Sequence, residues 1–170
     1  MSRNLIVVAC ALAVVAATYF GYGWLFAEQP SSPQELAQTA LEADSADERE
    51  TAVAQLSGLG RESTEHLQRV MIKSNSPAVR ATAIQGLARQ WDYDSMDAII
   101  DALDDDNPLI RGRAGRAAER MLGLRFDFRY DAPVEERKVK IKLIRAAWRK
   151  MKTSGVFENW KQRLAQKHKP

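Results

Sequence analysis

An arginine recurs every 31 residues through the middle of this chain, at Arg49, Arg80 and Arg111. The same neighbours return around each. Ala52, Ala83 and Ala114 stand three residues after the arginines, and Leu56, Leu87 and Ala118 stand seven after. Ser45, Ser76 and Asn107 stand four before, and such side chains accept hydrogen bonds from the first free amides of a helix. Pro77 and Pro108 follow in the second and third copies, at a helical position where no amide donor is needed. A fixed period of this length marks stacked units, none of which buries its apolar face alone.

Shorter apolar stripes lie between these segments: Leu36, Ala40 and Leu41; then Leu67, Val70 and Met71; then Met96, Ile99, Ile100 and Leu103. Their spacing is helical. Gly58, Gly60 and Gly123 supply helix ends. Each unit is therefore helix–turn–helix, repeated about three times over residues 35–124, and no strand pattern competes. Residues 28–34 form a linker kept extended by Pro30 and Pro33. Ser32, Pro33 and Glu35 also have the spacing of a capping box that starts the first helix.

The chain begins differently. Leu5–Ala27 holds 20 apolar residues of 23 and no charge. As a helix it is about 34 Å long, enough to cross a hydrocarbon core of about 30 Å. Tyr19, Tyr22 and Trp24 gather at its far end, where amphipathic rings favour the headgroup layer. Arg3 precedes it, and no Lys or Arg follows until Arg49. The positive-inside rule then puts the N-terminus in the cytoplasm and the C-terminal domain outside it, on one transmembrane helix over residues 1–27. A cleaved signal peptide, releasing a secreted body, is the alternative. Bulky Trp24, Leu25 and Phe26 stand where small residues suit cleavage. The single cysteine, Cys10, excludes a disulfide framework and a Cys-rich zinc module. Val7-Val8-Ala9-Cys10 has a lipobox-like order, but the apolar run continues well past it, so Cys10 reads as an inert apolar residue.

The pattern around Arg49, Arg80 and Arg111 resembles the HEAT-repeat family, in its short, bacterial-type form. The resemblance implies an all-α fold: a short α-solenoid of about three helical pairs with C-terminal capping helices, preceded here by the transmembrane helix. It implies that the alanines occupy the tight crossing between paired helices. It also implies that each arginine bonds an acidic or carbonyl group of the adjacent unit. Gly112 and Gly115 depart from the pattern. Glycine inside a helix costs about 1 kcal/mol against alanine, so close packing is expected there. Residues 125–170 form a basic cap. Tyr130, Asp131, Pro133, Arg137 and Trp148 resemble the closing segment found after such repeats. Ile141, Ile144, Trp148 and Met151 give its buried stripe, and Val156, Phe157, Trp160 and Leu164 give a last short one.

The residues of catalysis are missing. His66 has no second histidine near it, and His168 lies in a basic tail. Some HEAT-repeat enzymes carry repeated His-Glu pairs for iron, and this chain has none. Gly58-Leu59-Gly60 lacks the Lys-Ser/Thr of a phosphate loop. Asp101, Asp104, Asp105 and Asp106, like Asp92, Asp94 and Asp97, read as solvated turns and helix caps. No cofactor, metal or catalytic residue is expected.

Charge remains. The total of +3 hides an acidic repeat region, with 10 basic and 17 acidic residues over 28–124, and a basic end with 14 and 5 over 125–170. The expected function is a membrane-anchored, protein-binding scaffold or adaptor. The alternatives are an accessory subunit of a larger membrane complex, and a HEAT-scaffold lyase or hydroxylase. The candidate partner surface is Arg113, Arg116 and Arg120 in the third unit with Arg137, Lys138, Lys142 and Arg145 in the basic segment. A protein partner is expected; nucleic acid and small molecules are not.

Overall fold

The computed structural model describes residues 31–155, 157–159 and 162. The chain divides between Ser31 and Ser32, and every element below belongs to the second unit. The expected spanning segment Leu5–Ala27, with Cys10, lies outside the described residues, as do Val156, Trp160, Leu164 and His168. Among the described residues no helix is long and apolar enough to cross a membrane.

The described residues form helices and no strand. The first pair is α1 (Pro33–Glu42) and α2 (Ala46–Gly58). The second is α3 (Thr64–Lys73) and α4 (Pro77–Arg89). The third is α5 (Met96–Asp101), extended by a 3-10 turn at Ala102–Asp104, and α6 (Pro108–Leu122). A 20-residue helix, α7 (Val134–Thr153), closes the series. Within each pair the helices pack on each other, and α2, α4 and α6 pack in succession. α1 packs on α3, and α7 packs on α5 and α6, so α7 stands as the first helix of a further unit.

The local signals act as expected. Ser32 and Glu35 close a capping box on α1. Ser45, Ser76 and Asn107 accept from the amides of Glu48, Val79 and Leu109. Ala52, Ala83 and Ala114 are buried, as are Leu56, Leu87 and Ala118. Ala37 joins Leu36 and Ala40 in the core, while Leu41 is only partly buried.

The repeated arginines work as clasps. Arg49 Nη1 donates to the carbonyls of Ala43 (2.5 Å) and Asp44 (3.0 Å), just past the end of α1. Arg80 Nε donates to the Met71 carbonyl at 3.1 Å, in the last turn of α3. Arg111 Nη1 donates to the carbonyls of Asp105 and Asp106, both at 2.8 Å. A cation thus sits on orphaned carbonyls after the first helix of each pair, where charge and donors both favour it. The link onward varies. Arg80 Nη2 pairs with Asp105 of the third unit at 2.5 Å, and Arg111 Nε donates to the Tyr130 carbonyl at 2.9 Å. Among the described residues Arg49 makes no bond to the next unit, which corrects the expectation for that residue. Ser74 stands 31 residues before Asp105 and offers no carboxylate.

Between α6 and α7 the chain runs without regular secondary structure from Leu124 to Asp131 (LRFDFRYD), with a left-handed backbone at Asp127 (φ +51°). Apolar and charged residues alternate there, a pattern the repeat reading passed over. Phe126 and Phe128 pack on the core, and the Phe126 amide donates to Glu119 Oε1 at 2.9 Å. This strap explains the two glycines of α6. A Cβ on Gly115 would stand 2.7 Å from Phe128 Cδ1, and one on Gly112 would stand 3.3 Å from Tyr130 Cδ1. The close packing is real, but its partner is the strap.

Gly115→Ala is expected to lower stability by about 1–2 kcal/mol despite the better helix former, because overpacking outweighs propensity. In a Phe128→Ala background the same change should raise stability by about 1 kcal/mol. Urea denaturation of the four proteins checks this reversal of sign; a Gly115→Ala effect of the same sign in both backgrounds contradicts it.

Candidate functional site

α4 and α6 carry arginines at positions related by the repeat. Arg89 stands 31 residues before Arg120, at the last turn of its helix. Between these helices lies an open groove of about 560 Å³. Arg89, Arg113, Arg116, Arg120 and Arg125 line it, with Glu119 as its only acidic residue. Ala88, Ala117 and Leu124 supply apolar lining. Arg89, Arg116 and Arg120 are exposed, and Arg113 is half-buried. Among the described residues no carboxylate lies within ion-pair distance of Arg89, Arg113 or Arg116. Arg125 approaches Asp127 at 3.9 Å with both side chains largely in solvent, a pair worth little. Glu119 already accepts from the strap amide. Like charges gathered on one groove raise the energy of the folded state, and an anionic occupant would relieve that cost.

Arg120 leads to the other end of the groove. Its guanidinium lies 5.4 Å from the centroid of Trp91, in cation–π contact. Trp91 has φ +55° and is 40% exposed. The left-handed region costs a residue with a side chain about 1–2 kcal/mol. Gly60, at the equivalent position 31 residues earlier, has φ +78°. The second unit therefore holds a bulky indole where the backbone suits glycine. Beyond it opens a second groove of about 550 Å³, lined by Trp91, Leu122, Leu124, Ala147 and Met151, with Lys150 beside them. Gly123 and Leu124 line both grooves, which makes them neighbours. Beneath lies an aromatic cluster. Tyr93 stacks on Trp148 at 6.0 Å, and Phe157 meets the Trp148 ring edge-on at 5.4 Å. Tyr93 donates its hydroxyl to the Met121 carbonyl at 2.9 Å, and burial pushes its pKa up.

The basic residues of α7 are placed differently. Arg145 pairs with Asp101 at 2.8 Å. Arg137 is turned inward, 12% exposed, donating to the Ala132 carbonyl at 2.7 Å and lying 3.8 Å from Asp104. Lys138 pairs with Glu135 of its own helix at 3.1 Å, and Lys142 is exposed. Arg113, Arg116 and Arg120 thus come together in one groove, while Arg137 and Arg145 fasten α7 to the third unit. Asp97, Asp101, Asp104 and Asp105 are accordingly more than solvated turns, which corrects the expectation for them. Asp92 does cap, accepting from the Ser95 amide, but it is buried and also accepts from Gln68 Nε2 at 2.9 Å. His66 is half-buried on α3. Sequence reasoning missed Arg89, Arg125 and Trp91; the 31-residue offsets from Arg120 and Gly60 were the signals for Arg89 and Trp91.

Residues 64–125, the second and third pairs and the start of the strap, match the family model for HEAT repeats. No curated protein and no solved structure matches the chain. The fold is a helical-repeat architecture. The particular likeness, to HEAT repeats, rests on that central segment.

Asp97 fastens the far end of α7. Trp148 Nε1 donates to its Oδ1 and Lys152 Nζ to its Oδ2, both at 2.8 Å. Burial pushes its pKa up. The bonds from Lys152 and Trp148, with the charges of Lys152 and Arg145, together outweigh burial and leave the carboxyl below its usual value. Stability from this group is therefore present above the unfolded pKa of about 3.9 and lost as pH falls through the lower folded value. Asp97→Asn is expected to cost no more than about 1 kcal/mol at pH 7, since the pair is largely exposed. That difference should close between about pH 4 and pH 2. Urea denaturation at neutral pH and at about pH 2.5 measures it; an undiminished difference in acid contradicts the assignment.

Proposed function

We propose that this chain is a membrane-anchored HEAT-repeat adaptor that binds a protein partner and performs no catalysis of its own. One observation carries the reading: five arginines converge on the groove between α4 and α6, and three of them have no carboxylate partner among the described residues. HEAT repeats commonly mediate protein–protein interaction, and stacked helical pairs offer one side of every unit as a continuous surface. The basic residues of α7 contribute less to this surface, because Arg137 and Arg145 face the third unit's aspartates.

In this reading Leu5–Ala27 is retained as the anchor, with the N-terminus cytoplasmic and the repeats outside the cytoplasm. The apolar length, the aromatic residues at its far end and the position of Arg3 support it. Deletion of Leu5–Ala27 is expected to move the protein from the membrane fraction to the soluble one.

A photo-crosslinking residue placed at Arg116, in the groove, or at Lys142, on α7, tests the adaptor role in intact membranes. The groove position is expected to give a discrete adduct identifiable by mass spectrometry, at several times the yield of the α7 position. Equal yields, or no adduct from the groove, contradict this reading.

A further inference from the structure

The arginine groove changes character along its length. Its guanidinium lining runs to Arg120, which lies on Trp91, and around Trp91 the second groove is lined mainly by apolar side chains, Leu122, Leu124, Ala147 and Met151, with Lys150 beside them. Leu124 lines both halves, so a single extended segment can lie across them. Arg120 over the indole marks the boundary.

Given the adaptor role, on which this inference rests, we propose that the two grooves together bind one segment of a partner protein, in which a run of carboxylates stands next to a bulky apolar side chain. The carboxylates lie among Arg89, Arg113 and Arg116, where planar guanidinium groups match carboxylate oxygens in pairs. The apolar side chain packs against the exposed indole face and the aliphatic groove beyond it. Trp91 is the specificity-determining residue. It keeps a left-handed backbone at a position where the preceding unit has glycine, so its indole is held at the junction against a local preference. A strained residue of this kind suggests a function that outweighs the local cost. The aliphatic lining argues for an apolar side chain in preference to a polar base, and the open form of the groove argues against an enclosed lipid chain.

The test uses the full chain in mild detergent and fluorescent peptides read by anisotropy. One peptide has five glutamates followed by Leu-Leu-Phe, one has the reverse order, and one has five glutamates followed by three serines. One of the two mixed peptides is expected to bind at least tenfold tighter than the serine peptide, with affinity falling several-fold between about 50 and 300 mM salt. Arg113→Glu with Arg116→Glu should weaken all three at least tenfold. Trp91→Gly should abolish the tenfold preference while leaving Tm equal or higher, which separates recognition from folding. The proposal is overturned by equal binding of mixed and serine peptides, or by a preference that survives Trp91→Gly. It is equally overturned if phosphatidylglycerol doped into the micelles, or a single-stranded oligonucleotide, displaces the mixed peptide at lower concentration than the unlabelled peptide does. If Arg116 crosslinks a partner in membranes but the peptides show no preference, the adaptor reading stands and this inference falls. If no adduct forms from Arg116, the adaptor reading falls and this inference falls with it, whatever the peptides show.

Discussion

The guanidinium group that reaches back over the end of the preceding helix is the contact on which the rest depends. Each helix leaves its last carbonyls without partners. Arg49, Arg80 and Arg111 satisfy those of three successive units from the first turns of the facing helices. A sequence period becomes a spatial one, since each second helix is tied to its first at the same place. Residues 31 apart then occupy equivalent sites on successive helices. Arg89 and Arg120 share a groove for this reason, and Trp91 inherits the backbone that Gly60 adopts without strain.

Positive charge has two uses in this structure. On α7 it meets aspartates, but magnitude shows that it does not drive docking. Burial of Ile141, Ile144 and Trp148 contributes about 1.5–3 kcal/mol for each side chain of that size. Each exposed ion pair contributes at most about 1 kcal/mol. The apolar stripe therefore holds α7, and Asp97, Asp101 and Asp104 set its register on the third unit. On α4 and α6 the groove-lining charges Arg89, Arg113 and Arg116 meet no acid among the described residues. Part of the acidic excess of the repeats lies at the turns and on α5, where it is matched by α7 or by Arg80. The arginine groove keeps its charge.

Much of this was legible in the sequence because its signals are local. Helix starts at Ser32, Ser45, Ser76 and Asn107 depend on one side chain and an amide two or three residues away. The core stripes follow from helical spacing alone. The missing parts depend on contacts between distant segments. Gly112 and Gly115 announced close packing, but the identity of the packed rings required the course of the strap. The aspartates looked like turn residues because their cations come from 44 and 55 residues further along the chain. For the candidate surface, the sequence put Arg113, Arg116 and Arg120 in the third unit, and they line one groove. It could not separate them from Arg137 and Arg145, because pairing is decided by what faces a charge in space.

On the proposed function, Arg89, Arg113 and Arg116 stay open for a partner while Arg80, Arg111 and Arg137 hold the fold together. Arginine-selective labelling with phenylglyoxal, quantified residue by residue by mass spectrometry, measures this directly on purified protein and on native membranes. Rapid labelling of the three groove residues is expected in purified protein, with slow labelling of the other three and protection of the groove residues alone in membranes. Equal labelling of both sets, or groove residues as reactive in native membranes as in the purified chain, would contradict it.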